Sequence, residues 1–322
     1  MAKQIHLLCG VVRPAAFDKA FPDEVELKIF SLLNKYSVHH LDTGRAYGNA
    51  EAILGRLKAG PDHGFKIDTK WLGGFFDPTS ITKDRIIADA KDSFSKLGVE
   101  KIHSFYLHSP FVTPDIEETL IAINEVHKMG IFEHFGLSNF TPEQVQQVYD
   151  ICKAKGLVLP TVYEGLYNPV NRKPEEELLP LLRKLTISFN AYSVLAGGFL
   201  LKSREHIVNE EGRFAKDQYR GLYGRMYNNE PFLEAHDTWA RIAEEEGVTK
   251  LELAYRWVCY HSSLKAELGD GVIVGGWAGQ FEETFDSISR GPLTEQAVER
   301  IQGLWEKLQP NVKYLHNLQA MQ

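Results

Sequence analysis

Short apolar runs alternate with longer stretches whose apolar residues recur at helical spacing, from one end of the chain to the other. Residues 5–11 read as a buried strand that turns at Gly10, and 23–33 follow with acids in a first helical turn and apolar residues on one face. A second strand, 38–41, leads through a glycine-flanked turn into a helix that stops at Gly60-Pro61. The third, 65–70, alternates and ends on Lys70. Beyond it, Ser80 or Thr82 can cap a helix that turns Ile86, Ile87, Ala90, Phe94 and Leu97 inward and closes at Gly98. The fourth strand, 102–108, ends on His108, and Thr113-Pro114 opens a helix closed by Gly130.

The fifth strand, 132–137, delivers Ser138 and Asn139 to a loop. Thr141-Pro142-Glu143-Gln144 then combines a capping threonine, a proline at the first helical position and a glutamine that completes a capping box. A short sixth strand, 161–164, precedes a helix seeded by 174–177, in which Pro180 predicts a kink. The seventh strand is 186–192. Regularity lapses over 197–230, a segment rich in Gly, Arg, Tyr and Asn that reads as a functional cover. Helices resume at 231–246 and 249–261, the latter with a Thr249/Glu252 capping box; the eighth strand, 271–275, is followed by helical stretches from Gln280 and Thr294. Strict alternation of strand and helix implies parallel pairing with right-handed crossovers. The economical closure is an α/β fold of the (β/α)8 TIM-barrel type, occupying 1–322 as one domain.

Composition narrows the partners. The chain has 322 residues, 43% apolar and 25% charged, enough for a sizeable core. A net charge of -7 gives no electrostatic reason to expect nucleic acid or an anionic membrane. No run approaches the ~20 apolar residues that span a bilayer, and Cys9, Cys152 and Cys259 lie too far apart in sequence for a C-x-x-C pair. The expectation is a soluble cytoplasmic protein without metal, because no H-E-x-x-H or comparable ligand spacing occurs and His39, His40, His63 and His103 stand without ligand-spaced company.

Candidate chemistry sits at the strand ends, where a barrel enzyme keeps its active site. Asp42, Tyr47, Lys70, His108, Asn139, Glu164 and Tyr192 all fall at or just past such ends. An ordinary tyrosine titrates near 10, far too high for an acid at neutral pH, but a lysine ammonium stabilises the phenolate and a carboxylate fixes the lysine. Asp42, Lys70 and Tyr47 supply that set, and a neutral His108 could orient a carbonyl oxygen against the phenol. The set can donate a proton to a developing alkoxide. It cannot supply a hydride, which no side chain carries.

The run Asp42-Thr43-x-x-x-Tyr47-Gly48-x-x-Glu51-x-x-Leu54-Gly55, the lysine ending the next strand, Leu107-His108, the 136–140 stretch around Ser138-Asn139, and Ala191-Tyr192-Ser193-x-Leu195 together resemble the aldo-keto reductases. Pro160-Thr161-Val162-Tyr163, Leu195-Ala196-Gly197-Gly198 and the 271–275 strand are most similar to the aflatoxin-aldehyde reductase branch. The resemblance implies NADPH-dependent reduction of an aldehyde or ketone, with Tyr47 as general acid, Lys70 and Asp42 lowering its pKa, and His108 orienting the carbonyl. Ser138 and Asn139 would hold the nicotinamide carboxamide, Tyr192 would stack on its ring, and Leu195 and Gly197 would line the cofactor. The family also contains regulatory subunits that bind cofactor with little turnover, which is the alternative reading.

Two stretches depart from the family pattern. Glu164 stands where a glutamine is usual, and an ionised carboxylate cannot donate. The loop from Gly275 to Gln280 lacks the usual cations for a 2′-phosphate, leaving backbone amides at a helix N-terminus, or Arg220 and Arg225 from the long segment, to meet it. NADH is therefore open beside NADPH. Trp71, Phe111 and Tyr223 are candidate walls of an apolar substrate pocket, and Arg13 a candidate partner for a substrate carboxylate. The assembly is expected to be a monomer or homodimer acting on small carbonyl compounds.

Overall fold

The computed structural model describes residues 5–12, 23–72, 81–110, 116–276 and 278–312. Among them, eight parallel strands close on one another in chain order, β1 pairing with both β2 and β8. The elements run β1 (His6–Gly10), α1 (Asp23–Lys35), β2 (His40–Asp42), α2 (Ala50–Arg56), β3 (Lys66–Trp71), α3 (Lys83–Leu97), β4 (Ile102–Leu107) and α4 (Ile116–Lys128). The second half continues with β5 (Phe132–Ser138), α5 (Pro142–Lys155), β6 (Pro160–Leu166), α6 (Leu178–Leu185), β7 (Ser188–Tyr192) and the short helices α7 (Arg204–Val208) and α8 (Leu222–Tyr227). Helices α9 (Glu230–Glu246) and α10 (Lys250–Tyr260) precede β8 (Gly271–Val274), and α11 (Ala278–Ser289) and α12 (Glu295–Leu308) end the fold.

Local chemistry sets most of these boundaries. Thr82 accepts from the Arg85 amide to start α3, and Gly98 ends it at φ 61. Thr141 and Gln144 form the reciprocal capping box expected at the head of α5. At α10 only half of the expected box forms. Thr249 accepts from the Glu252 amide, but the Glu252 carboxylate binds Arg256 at 2.7 Å and Arg290 at 2.5 Å instead of reaching back. Pro180 does not kink a helix, because α6 begins at Leu178 and places the proline in the first turn, where its missing N–H has no partner to lose. Nor is 197–230 irregular: it is a chain of 3-10 turns and short helices, α7 and α8 among them.

Outward-facing strand residues such as Leu41, Ile67, Phe105, Phe135 and Phe189 are fully covered by the helix layer. Within that layer, two helices approach closely at Gly55 in α2. A Cβ there would lie 1.7 Å from the Lys96 carbonyl oxygen at the end of α3, so only glycine lets the two helices approach this closely. Gly55→Ala is expected to lower stability by about 1–3 kcal/mol through forced separation of α2 and α3, read as a fall in the urea midpoint with an unchanged slope.

Candidate active site

The turn after β2 is held from three sides. The Thr43 amide donates to the Asp68 carbonyl at 3.0 Å, the Thr43 hydroxyl donates to the Val11 carbonyl at 2.9 Å, and the Arg45 amide donates to the Lys70 carbonyl at 3.2 Å. The Arg45 guanidinium reaches outward to α3, meeting Asp92 at 2.7 Å and Asp89 at 3.2 Å. The turn that carries Tyr47 is thereby tied both to its neighbouring strands and to the outer layer.

Inside the barrel, the Lys70 ammonium is fully buried. It lies 2.5 Å from Asp42 Oδ1, 3.2 Å from Glu164 Oε2 and 2.9 Å from the Thr43 carbonyl oxygen. It also stands 5.1 Å from the centroid of the Tyr47 ring and 5.5 Å from that of Tyr106, both within cation–π range. The Tyr47 hydroxyl is 3.5 Å from His108 Nε2, with the two rings nearly perpendicular at 86°. Tyr47, Asp42, Lys70 and His108, expected at the ends of three strands, therefore share one mouth.

Their protonation follows from burial and from the lysine. Burial, aided by the Lys70 charge, depresses His108 to about 3, so its imidazole is neutral at physiological pH. Burial raises the Tyr47 phenol above its ordinary value, and Lys70 opposes this without reversing it. The expected lowering by Lys70 is thus present but smaller than desolvation, and the phenol stays protonated. Desolvation raises both carboxyls as well. Glu164 is raised much further, because the neighbouring Asp42 charge adds to its own burial, while Lys70 opposes both shifts. Asp42 holds the negative charge beside the ammonium and Glu164 takes the proton.

A second group of residues is joined to the first. Asn139, at φ 64, donates to the His108 carbonyl at 2.9 Å and to Ser138 Oγ at 3.0 Å, and accepts from the Tyr192 hydroxyl at 2.7 Å. Leu195 and Gly197 lie in the turn after β7, where Gly197 has φ 68 and a Cβ would come within 2.1 Å of the Tyr223 ring. Tyr223 therefore stands over this turn. At the remaining edge Gly275 and Gly276 precede α11, and the Gln280 side chain folds back over Gly276.

Several candidates fall elsewhere. Trp71 does not line the mouth: it follows Lys70 on β3 and so faces the opposite side, where its indole donates to Asp89 of α3 at 3.2 Å. Arg225 lines a groove of about 410 Å³ with Glu210, Phe214, Lys216, Gly221, Gly224 and Asn228, none of which is among the site residues described above. Arg13 and Phe111 lie outside the described residues, as does the Arg220 side chain. Conversely, Tyr106 and Asn190, whose amide donates to the Tyr106 hydroxyl at 3.3 Å, floor the site without having been anticipated. The signal was strand parity, since Tyr106 is two residues before His108 and shares its face.

Known proteins resemble the chain over most of its length. The sequence model of the Aldo/keto reductase family matches residues 7–306. The chain is 39% identical over 279 residues to Oxidoreductase sirO of Leptosphaeria maculans, covering 85% of this chain and 84% of that one. It is 33% identical over 283 residues to Aflatoxin B1 aldehyde reductase member 2 of Rattus norvegicus, covering 83% and 76%. The crystal structure of an aldo/keto reductase from Brucella melitensis shares the fold with a TM-score of 0.62 at 20% identity, over 92% of this chain and 94% of that one.

The two carboxyls should respond differently to neutralisation. Asp42→Asn strips the buried ammonium of its counter-charge and is expected to cost about 3–5 kcal/mol in chemical denaturation. Glu164→Gln removes a group whose folded pKa exceeds its unfolded one. Such a group favours the folded state below the unfolded value of 4.5, and that contribution is lost as pH rises. The substitution should therefore raise the melting temperature at pH 7 and change it little near pH 4.

Proposed function

The chain belongs to the aldo/keto reductase family, an oxidoreductase family acting on carbonyls, and on that premise we propose that it reduces an aldehyde or ketone to the alcohol with NADPH or NADH, Tyr47 donating the proton. The observation that carries the reading is the 3.5 Å separation of Tyr47 Oη and His108 Nε2 above an ion-paired ammonium. Two donors so spaced can both reach a single oxygen at about 2.8 Å.

His108, neutral and in the Nε2–H tautomer, fixes the carbonyl oxygen without giving up its proton. Tyr47 passes its proton to that oxygen as negative charge develops there, and Lys70 steadies the phenolate left behind. Asp42 keeps the ammonium charged and in place. A bound nicotinamide supplies the hydride to the carbonyl carbon. The residues present fit its carboxamide. Glu164 Oε2 is buried and, apart from its ion-pair contact with Lys70, has no hydrogen-bond partner among the described residues. Protonated, Glu164 can also donate, which answers the chemical objection to a carboxylate in place of glutamine. Ser138 and Asn139 flank the same space, paired in register with β6 at Ser138 and Glu164. Tyr192 and Tyr223 present ring surface near the mouth, which supports an apolar or aromatic carbonyl compound as substrate.

Tyr47→Phe is expected to lower kcat for NADPH-dependent reduction of an aromatic aldehyde by about 10²–10⁴-fold, while cofactor binding, followed by quenching of intrinsic fluorescence, is retained. Full activity in this variant would refute the assignment. In the wild type, kcat/KM should show no limb near 6.5, because His108 titrates near 3 and Tyr47 only above its ordinary value. A bell centred on neutral pH would point to a different proton donor.

A further inference from the structure

A second cluster of ionisable side chains lies toward the N-terminal ends of the strands, on the face away from the mouth. His40 is the first residue of β2, Asp68 lies two residues before Lys70 on β3, and His103 is the second residue of β4. Asp68 Oδ1 is 3.0 Å from His40 Nε2 and 3.0 Å from His103 Nδ1. The three ligand atoms all lie within 4.8 Å of one another. Asp68 is fully buried and His40 nearly so.

Hydrogen bonding within the cluster leaves two groups unsatisfied. His40 Nε2 contacts Asp68 Oδ1 at ion-pair distance without an aligned hydrogen bond, and Asp68 Oδ2 has no hydrogen-bond partner among the described residues. A fully buried carboxylate oxygen without a hydrogen bond is costly in a protein interior, and the contact of Oδ1 with His40 Nε2 leaves Oδ2 unsatisfied. A proton on one histidine satisfies one contact. A divalent cation satisfies the whole set.

We propose that His40, Asp68 and His103 form a binding site for a divalent first-row transition metal of the Zn2+ type, stapling β2, β3 and β4 beneath the active site. Two imidazoles and one carboxylate suit such an ion, and a site with three protein ligands is completed by water. Tetrahedral Zn2+ with bonds near 2.0–2.1 Å separates neighbouring ligand atoms by about 3.3 Å, so the observed 3.0 Å contacts need open only slightly. The outer contacts are in place too. His6 Nε2 lies 3.0 Å from His40 Nδ1, so the ring that binds metal through Nε2 can donate its other N–H to His6, the arrangement that fixes tautomer and orientation in histidine metal sites. The ion has no part in the chemistry at Tyr47, and the site's role is to hold three strands together.

The test is equilibrium dialysis of the full chain against micromolar Zn2+, with bound metal determined by mass spectrometry. One Zn2+ per chain is expected, with affinity reduced at least tenfold in Asp68→Asn and in His103→Gln, and unchanged in His39→Gln, whose exposed side chain neighbours the site without joining it. No bound metal in the wild type, or equal retention in both site variants, would overturn the proposal. Should the site variants fail to fold by circular dichroism, Co2+ added to the wild type decides the matter. The visible bands of four-coordinate Co2+ support the site, and the spectrum of hydrated Co2+ alone rejects it.

Discussion

The site depends on keeping one ammonium charged while it is buried from solvent. Lys70 is fully buried, and an isolated cation in that position would shed its proton. Asp42 from β2, Glu164 from β6 and the Thr43 carbonyl prevent this, and none of them is near Lys70 in sequence. The contacts that hold the charge once it is buried therefore exist only in the closed barrel. Its presence bears on the rest of the mouth, adding to the burial that keeps His108 neutral and opposing the desolvation of Tyr47, while burial and the neighbouring Asp42 charge hold the Glu164 carboxyl well above its ordinary range.

Much of this was legible in the order of residues. Strand–helix alternation predicted the barrel, and ionisable residues at successive strand ends predicted Asp42, Tyr47, Lys70 and His108, because parallel strands in a closed sheet present all their C-terminal ends to one mouth. What escaped notice was of two kinds. Trp71 was misplaced because its proximity to Lys70 in sequence hides the reversal of side-chain direction between consecutive strand residues, and the outward face has its own partner in Asp89. The His40, Asp68 and His103 cluster has no signature in the sequence, because ligand spacing marks only sites whose ligands share one helix or loop. These come from three strands and meet only through barrel closure.

Strand β3 accordingly serves two polar layers. Asp68 and Lys70 are two residues apart and project to the same side, one toward the histidine cluster and the other toward the phenol. A slip of one residue would turn both charges into the apolar layer beneath the helices, so the polar interior enforces the register that the parallel ladder to β4 records, Asp68 opposite Ser104 and Lys70 opposite Tyr106.

The close approach at Gly55 reaches further than its own helix pair. With α2 seated against the end of α3, the carboxylates at Asp89 and Asp92 come within reach of Arg45, which belongs to the same turn as Tyr47. The position of the phenol is thus governed from the outer shell of the barrel. A substitution in the α2–α3 contact can therefore be felt in the mouth, although neither helix faces it.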